Sequence, residues 1–148
     1  MSELMELYQE VILDHTRRPR NFGSLENATH WAEGDNPLCG DRVVVFLQLD
    51  GDVVRDIRFQ GKGCAISTAS ASMMTEFLKG SKVDILHETF RRFQGLVTGK
   101  VIESPEDLGK LAAFSGVATF PIRVKCATLA WHTVKAALEN RKQQVSTE

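Results

Sequence analysis

Two runs of strand-forming residues meet at a tight turn in the first half of this chain. Val43-Val44-Val45-Phe46-Leu47-Gln48-Leu49 and Val53-Val54-Arg55-Asp56-Ile57-Arg58-Phe59 flank Asp50-Gly51. β-Branched and aromatic residues suit a pleated, half-buried surface, and Asp-Gly supplies the backbone conformation a hairpin turn needs. Gly61 and Gly63 then lead to Cys64, where a short third strand is expected. A small sheet of this kind is marginal in water unless other elements cover it. The rest of the chain must therefore supply the cover.

That cover reads as helical. Leu4, Leu7, Tyr8, Val11 and Ile12 recur at helical spacing from Glu3 to about Arg17, with Ser2 as a cap and Pro19 just past the end. Residues Arg20 to Cys39 read as a polar loop holding Gly23, Gly34 and Pro37. After Cys64, Ser67 or Thr68 caps a helix that runs to Lys79 and stops at Gly80. Ser81 and Asp84 resemble a capping box ahead of Val83, Leu86, Phe90 and Phe93. Ser104-Pro105-Glu106-Asp107 opens another helix, expected to end near Gly116. A final helix begins close to Pro121, carries Ile122, Leu129, Val134, Ala137 and Leu138, and passes into a polar tail from about residue 141. The pattern predicts an α+β fold: a small antiparallel three-stranded sheet packed with about five helices, as one domain over residues 1–148.

Composition narrows the function. A net charge of −1 argues against an electrostatic grip on nucleic acid or an anionic membrane. No stretch approaches the roughly 18 apolar residues of a membrane span. The start, Met1-Ser2-Glu3-Leu4-Met5-Glu6, lacks the basic and apolar character of a signal peptide. Three cysteines, an odd number, point to a reducing cytoplasm and not to a disulfide framework.

Those three cysteines lie in Cys39-Gly40-Asp41, Gly61-Lys62-Gly63-Cys64 and Arg123-Val124-Lys125-Cys126, each beside a turn or near an expected helix start. Gly40 allows a tight turn that aims a thiolate and the Asp41 carboxylate at one point. Cys64 and Cys126 precede or open helices, whose N-terminal N–H groups favour a thiolate. Three soft thiolates and a harder carboxylate suit zinc or an iron–sulfur centre. The spacings are not those of a zinc finger, so the residues alone leave two readings open: a metal site, or three cysteines packed as small hydrophobes.

The surrounding blocks carry more. Asn36-Pro37-Leu38-Cys39-Gly40-Asp41, then Gly61-Lys62-Gly63-Cys64 with Ala65 to Met74, then Lys125-Cys126-Ala127-Thr128-Leu129 resemble the three signature blocks of IscU-type iron–sulfur cluster scaffold proteins. Leu7-Tyr8 and the His15 to Gly23 segment are similar as well. The resemblance implies that Cys39, Asp41, Cys64 and Cys126 are metal ligands, with a cysteine desulfurase and downstream cluster-assembly or carrier proteins as partners. IscU proteins have histidine before the third cysteine, where this chain has Lys125. Phe120-Pro121-Ile122-Arg123-Val124-Lys125 is a poor match to their chaperone-recognition segment, and the stretch between Cys64 and Cys126 is longer, through Thr98 to Gly116. All three departures resemble the SufU branch, which implies a zinc-dependent carrier of persulfide sulfur. Cys39 is the expected acceptor, because its loop should be the most mobile part of the site.

Two alternatives use the same ligands: a scaffold for a transient [2Fe–2S] cluster, and a structural zinc site in an interaction module. Asp41 argues against the last, since structural zinc is usually held by Cys and His alone. A zinc hydrolase is disfavoured because catalytic zinc keeps a position open for water. Lys125 stands beside the third cysteine, where its charge would offset an anionic site or pair with Asp41; Arg123 has a weaker case for the same role, and a solvated surface residue is the alternative for both. His15, His30, His87 and His132 lie in no compact motif; Trp131, Phe90, Phe93, Phe114, Met73 and Met74 read as core.

Overall fold

The structure is a computed structural model that describes residues 3–100, 102, 105–139 and 145–146. Helix α1 (Glu3–Arg17) leads into strands β1 (His30–Asn36), β2 (Asp41–Asp50) and β3 (Val53–Lys62). Helices α2 (Ala65–Leu78) and α3 (Val83–Val97) follow, then a 3₁₀ segment (Pro105–Thr119), α4 (Pro121–Leu138) and the two-residue strand β4 (Val145–Ser146). The sheet order is β3-β2-β1-β4; the first three strands are antiparallel and β4 runs parallel to β1. This is the predicted α+β fold, a three-stranded antiparallel sheet with five helices. Among the described residues no helix is long and apolar enough to cross a membrane.

The hairpin forms where the sequence predicts it, but the third strand does not. Gly61 and Lys62 continue β3 opposite Val43 and Arg42 and make no separate strand. The third strand is β1, drawn from the stretch read as a polar loop. Its inward positions are Ala32, Gly34 and Asn36, all buried. They are small or polar because α4 lies directly over them: a Cβ on Gly34 would overlap Thr133 Oγ1 and come within 3.2 Å of Leu129 Cδ1. A strand with no large apolar residue on its buried face gives no hydrophobic alternation to read.

The inward side chains of β2 and β3 (Val43, Val45, Leu47, Val54, Ile57 and Phe59) meet α2 and α4 in one core. Helix α2 is buried on most of its circumference, and its Ala and Ser residues allow neighbours to approach closely. Its hydroxyls are bonded across helices: Ser70 Oγ donates to the Ala127 carbonyl and accepts from Trp131 Nε1 at 3.2 Å. Ser72 Oγ meets His15 Nδ1 at 2.7 Å and accepts the Arg20 backbone N–H at 2.8 Å. Trp131 stacks on Phe93 with ring centres 4.9 Å apart, and Phe93 meets Phe114 edge-on at 5.6 Å. The aromatic and methionine residues read as core are core.

Several local expectations change. Leu7 is 54% exposed, and α1 anchors through Tyr8, Val11 and Ile12. Helix α3 starts after Lys82 with no side-chain cap; Ser81 Oγ donates to Phe77 O, so the capping box is absent. The expected helix from Pro105 is a 3₁₀ run to Thr119, broken at Gly109 where φ is 53°. Ile122 of α4 is 62% exposed. The caps assigned to Ser2 and Ser104 lie outside the described residues, as does most of the tail. Val145–Ser146 of that tail joins the sheet edge.

Two predictions follow from this core. Trp131→Ala removes a fully buried ring with two stacked neighbours and should cost about 3–5 kcal/mol in urea denaturation. His15 is 1% exposed, and its pKa is lowered from 6.5 chiefly by burial, then by Arg20 and Lys110, against Glu76 and Asp14. The imidazole thus enters the fold neutral, and its contribution is full above pH 6.5 and lost as pH falls through the lower folded value. Denaturation at stepped pH should show stability falling as pH drops below 6.5 and levelling off below the folded value, and His15→Gln should flatten the fall.

Candidate metal centre

Three separate segments deliver the candidate ligands to one place, and the sheet register is what joins them. Asn36 and Asp41 face each other as the last pair of β1 and β2, so residues 37–40 form a hairpin turn. The Asn36 carbonyl accepts the N–H groups of Cys39 (3.1 Å) and Gly40 (2.8 Å), and Gly40 takes the left-handed conformation at φ 71°. Cys39 is held half-exposed at the tip, while Asp41 is fully buried at the strand start.

Cys64 is the N-cap of α2, replacing the expected Ser67 or Thr68. Its Sγ accepts the Ser67 N–H at 3.4 Å, as a helix start favours for a sulfur carrying negative charge. The Cys64 N–H in turn donates to Asp41 Oδ1 at 2.8 Å. Gly63 makes this approach possible, because a Cβ there would lie 2.7 Å from Asp41 Oδ1. Cys126 departs from expectation: it sits in the second turn of α4, fully buried, with its sulfur 3.8 Å from the Ile122 carbonyl.

Ligand atoms of Cys39, Asp41 and Cys126 all lie within 4.8 Å of one another. The Cys39 and Cys126 sulfurs are 3.4 Å apart. Cys64 stands outside that group of three, yet its sulfur is 3.9 Å from Asp41 Oδ2. A tetrahedral zinc with bonds near 2.3 Å to sulfur has ligand edges of about 3.6–3.8 Å; the donor set suits such an ion, Cys39, Asp41 and Cys126 are gathered near that scale, and Cys64 reaches it only toward Asp41.

The electrostatics of the free thiols point the same way. Burial pushes the Cys126 thiol far up, and hydrogen bonds with Cys39, Cys64 and Asp41 add to the shift. A buried thiol that resists ionisation in isolation is one that a cation converts to thiolate on binding. Arg123, exposed at the rim, is stabilised in its charged form by a hydrogen bond to Cys126 first and then by the charges of Cys64, Cys126 and Cys39. Lys125 is half-buried on α4, and among the described residues no ion pair joins it to Asp41.

Sequence reasoning gave Asn36 no role. It is fully buried, its Nδ2 donates to Cys126 Sγ at 3.6 Å, and its Oδ1 has no hydrogen-bond partner among the described residues. The available signal was its place as the third inward position of β1 after Ala32 and Gly34, which becomes visible only once that segment is known to be a strand.

Fold and site together define a family. The NifU-like N-terminal domain family matches residues 7–127, and the chain belongs to it. The zinc-dependent sulfurtransferase SufU of Bacillus subtilis (strain 168) is 43% identical over 134 residues, covering 90% of each chain. The iron–sulfur cluster assembly scaffold protein IscU of Streptococcus pyogenes serotype M1 is 38% identical over 139 residues, covering 94% of this chain and 87% of that one. The crystal structure of FiSufU from Fervidobacterium islandicum AW-1 matches with a TM-score of 0.83 at 35% identity, covering 93% of this chain and 99% of that chain. The protein is thus a member of the iron–sulfur cluster assembly scaffold and SufU family.

Gly63→Ala tests the seat of Asp41. The added methyl should displace the carboxylate from the Cys64 N–H at a cost of about 1–3 kcal/mol in urea denaturation. A chromophoric chelator should then draw zinc from the variant faster than from the parent.

Proposed function

We propose that this protein is a cytoplasmic sulfur carrier for iron–sulfur cluster assembly. It takes persulfide sulfur from a cysteine desulfurase on Cys39, at a zinc site held by Cys39, Asp41, Cys64 and Cys126, and hands it to downstream assembly or carrier proteins. The observation that carries this reading is an asymmetry among the sulfurs. Cys64 and Cys126 each accept an N–H donor, whereas among the described residues the Cys39 sulfur has no N–H donor, hydrogen-bonds with the Cys126 thiol and sits half-exposed on a turn. The zinc-dependent sulfurtransferase among its relatives supports the sulfur-transfer reading.

Zinc, when bound, supplies the positive charge that keeps these thiols ionised at neutral pH. The chain's own residues do the rest. The Cys39 thiolate attacks the terminal sulfur of the partner's cysteine persulfide, forming one S–S bond as the old one breaks. The partner's cysteine leaves as a thiolate, Cys39 holds the persulfide, and no external oxidant or reductant is consumed. Asp41 remains fixed by the Cys64 N–H, and Arg123 places a positive charge at the rim where the anionic persulfide arrives. Leu38 and Ile122, each 62% exposed and close in sequence to Cys39 and Cys126, give a partner apolar surface to cover.

The test mixes the zinc-loaded protein with a cysteine desulfurase and cysteine, then traps thiols for site-resolved mass spectrometry. Persulfide should appear on Cys39 with desulfurase turnover stimulated, and Cys39→Ser should lose both. No sulfur on any cysteine, together with a stable visible-absorbing cluster after iron and sulfide are supplied, would overturn this reading in favour of a [2Fe–2S] scaffold.

A further inference from the structure

Asn36 is buried with part of its hydrogen-bonding capacity unmet. It is fully enclosed, and its Oδ1 has no partner among the described residues. An apolar side chain of the same shape would leave no orphaned acceptor, so packing alone does not explain an amide here. Something must offset that carbonyl. Among the described residues, the side-chain N–H on Cys126 Sγ at 3.6 Å is the one hydrogen bond this amide makes. A neutral thiol is a weak acceptor, whereas an ionised sulfur accepts a charge-assisted bond of about twice the usual strength. The arrangement therefore suits a Cys126 sulfur that is held by a metal ion.

The same residue also acts through its backbone. The Asn36 carbonyl fixes the N–H groups of both Cys39 and Gly40, so it sets the turn that presents the second thiol. Cys39 and Cys126 sulfurs lie 3.4 Å apart and would compete for an arriving sulfur atom unless something distinguished them. An N–H donor draws charge from a thiolate and lowers its nucleophilicity.

We propose that Asn36 is a positioning residue that decides which thiol stays anchored. Its side-chain N–H anchors the Cys126 sulfur in place, while its backbone carbonyl fastens the Cys39 turn, whose sulfur accepts no N–H donor among the described residues. This rests on the reading that Cys39 accepts sulfur at a metal site, and it adds the reason why Cys126, its nearest neighbour, does not.

Two measurements test it. In protein loaded with NMR-active cadmium, the Asn36 side-chain amide protons should show coupling to the metal through the N–H···S bond. That experiment needs no variant. Cadmium bound to Cys126 without such coupling overturns the proposal and leaves the metal site standing; cadmium that does not bind Cys126 overturns both. The second measurement treats zinc-loaded protein with inorganic polysulfide and locates sulfur by mass spectrometry. The parent should carry it on Cys39. In Asn36→Leu, or in Asn36→Ala should the leucine variant fail to fold, the Cys126 share should rise about tenfold, the scale of one hydrogen bond to a charged group. An unchanged share in a folded variant overturns the proposal. Sulfur on no cysteine of the parent overturns the sulfur-carrier reading and with it the selection between thiols, even where cadmium coupling is seen.

Discussion

At Gly34 the strand β1 runs against α4 with no room for a side chain between them, the space being taken by Thr133 Oγ1 and Leu129. Everything at the site hangs on that contact. It fixes the depth at which β1 lies on the helix, and therefore where its last inward residue, Asn36, meets Cys126. The hairpin register then places Asp41 opposite Asn36 and projects Cys39 from the turn between them. A larger residue at position 34 would lift the strand and separate the thiol on the turn from the thiol on the helix.

A second seam supports the first. Helix α2 presents hydroxyls on opposite sides: Ser70 to α4 through Ala127 and Trp131, Ser72 to α1 through His15. Small polar residues allow three helices to approach closely while each buried hydroxyl keeps a partner, which is the condition under which burying them is tolerable. Since Cys64 caps α2 and Cys126 lies on α4, the same seam holds two of the three sulfurs in place. The chemistry of the site and the packing of the core are set by the same helices.

Within this rigid frame the charges are graded from inside to outside. Cys126 is buried and its thiol is reluctant to ionise, Cys39 is half-exposed, and Arg123 stands at the rim with its positive charge toward the sulfurs. Asp41 is buried but its Oδ1 accepts the Cys64 N–H, so the carboxylate enters the site already partnered on one oxygen. The sulfurs are accordingly inequivalent: among the described residues, two accept N–H donors and one does not. Lys125, conspicuous beside Cys126 in sequence, makes no ion pair with Asp41 among the described residues, and Arg123 is the cation coupled to the thiols.

Local periodicity and turn residues were enough to read the β2–β3 hairpin, helix α1, the two helices that follow Cys64, the last helix from Pro121 and the aromatic core from the sequence. It also supplied the four candidate ligands, through residues adjacent to each cysteine. Only the tertiary structure decided that residues 30–36 are a strand, since its buried face of Ala32, Gly34 and Asn36 is shaped by a helix nearly a hundred residues away and shows no hydrophobic alternation. Only the tertiary structure could show that Cys64 caps its helix, that Cys126 is buried in the second turn of α4, and that Asn36 reaches the Cys126 sulfur. The physical reason is common to all three: a residue's propensity is written in its neighbours along the chain, whereas its hydrogen-bond partner is chosen by whatever the fold brings beside it.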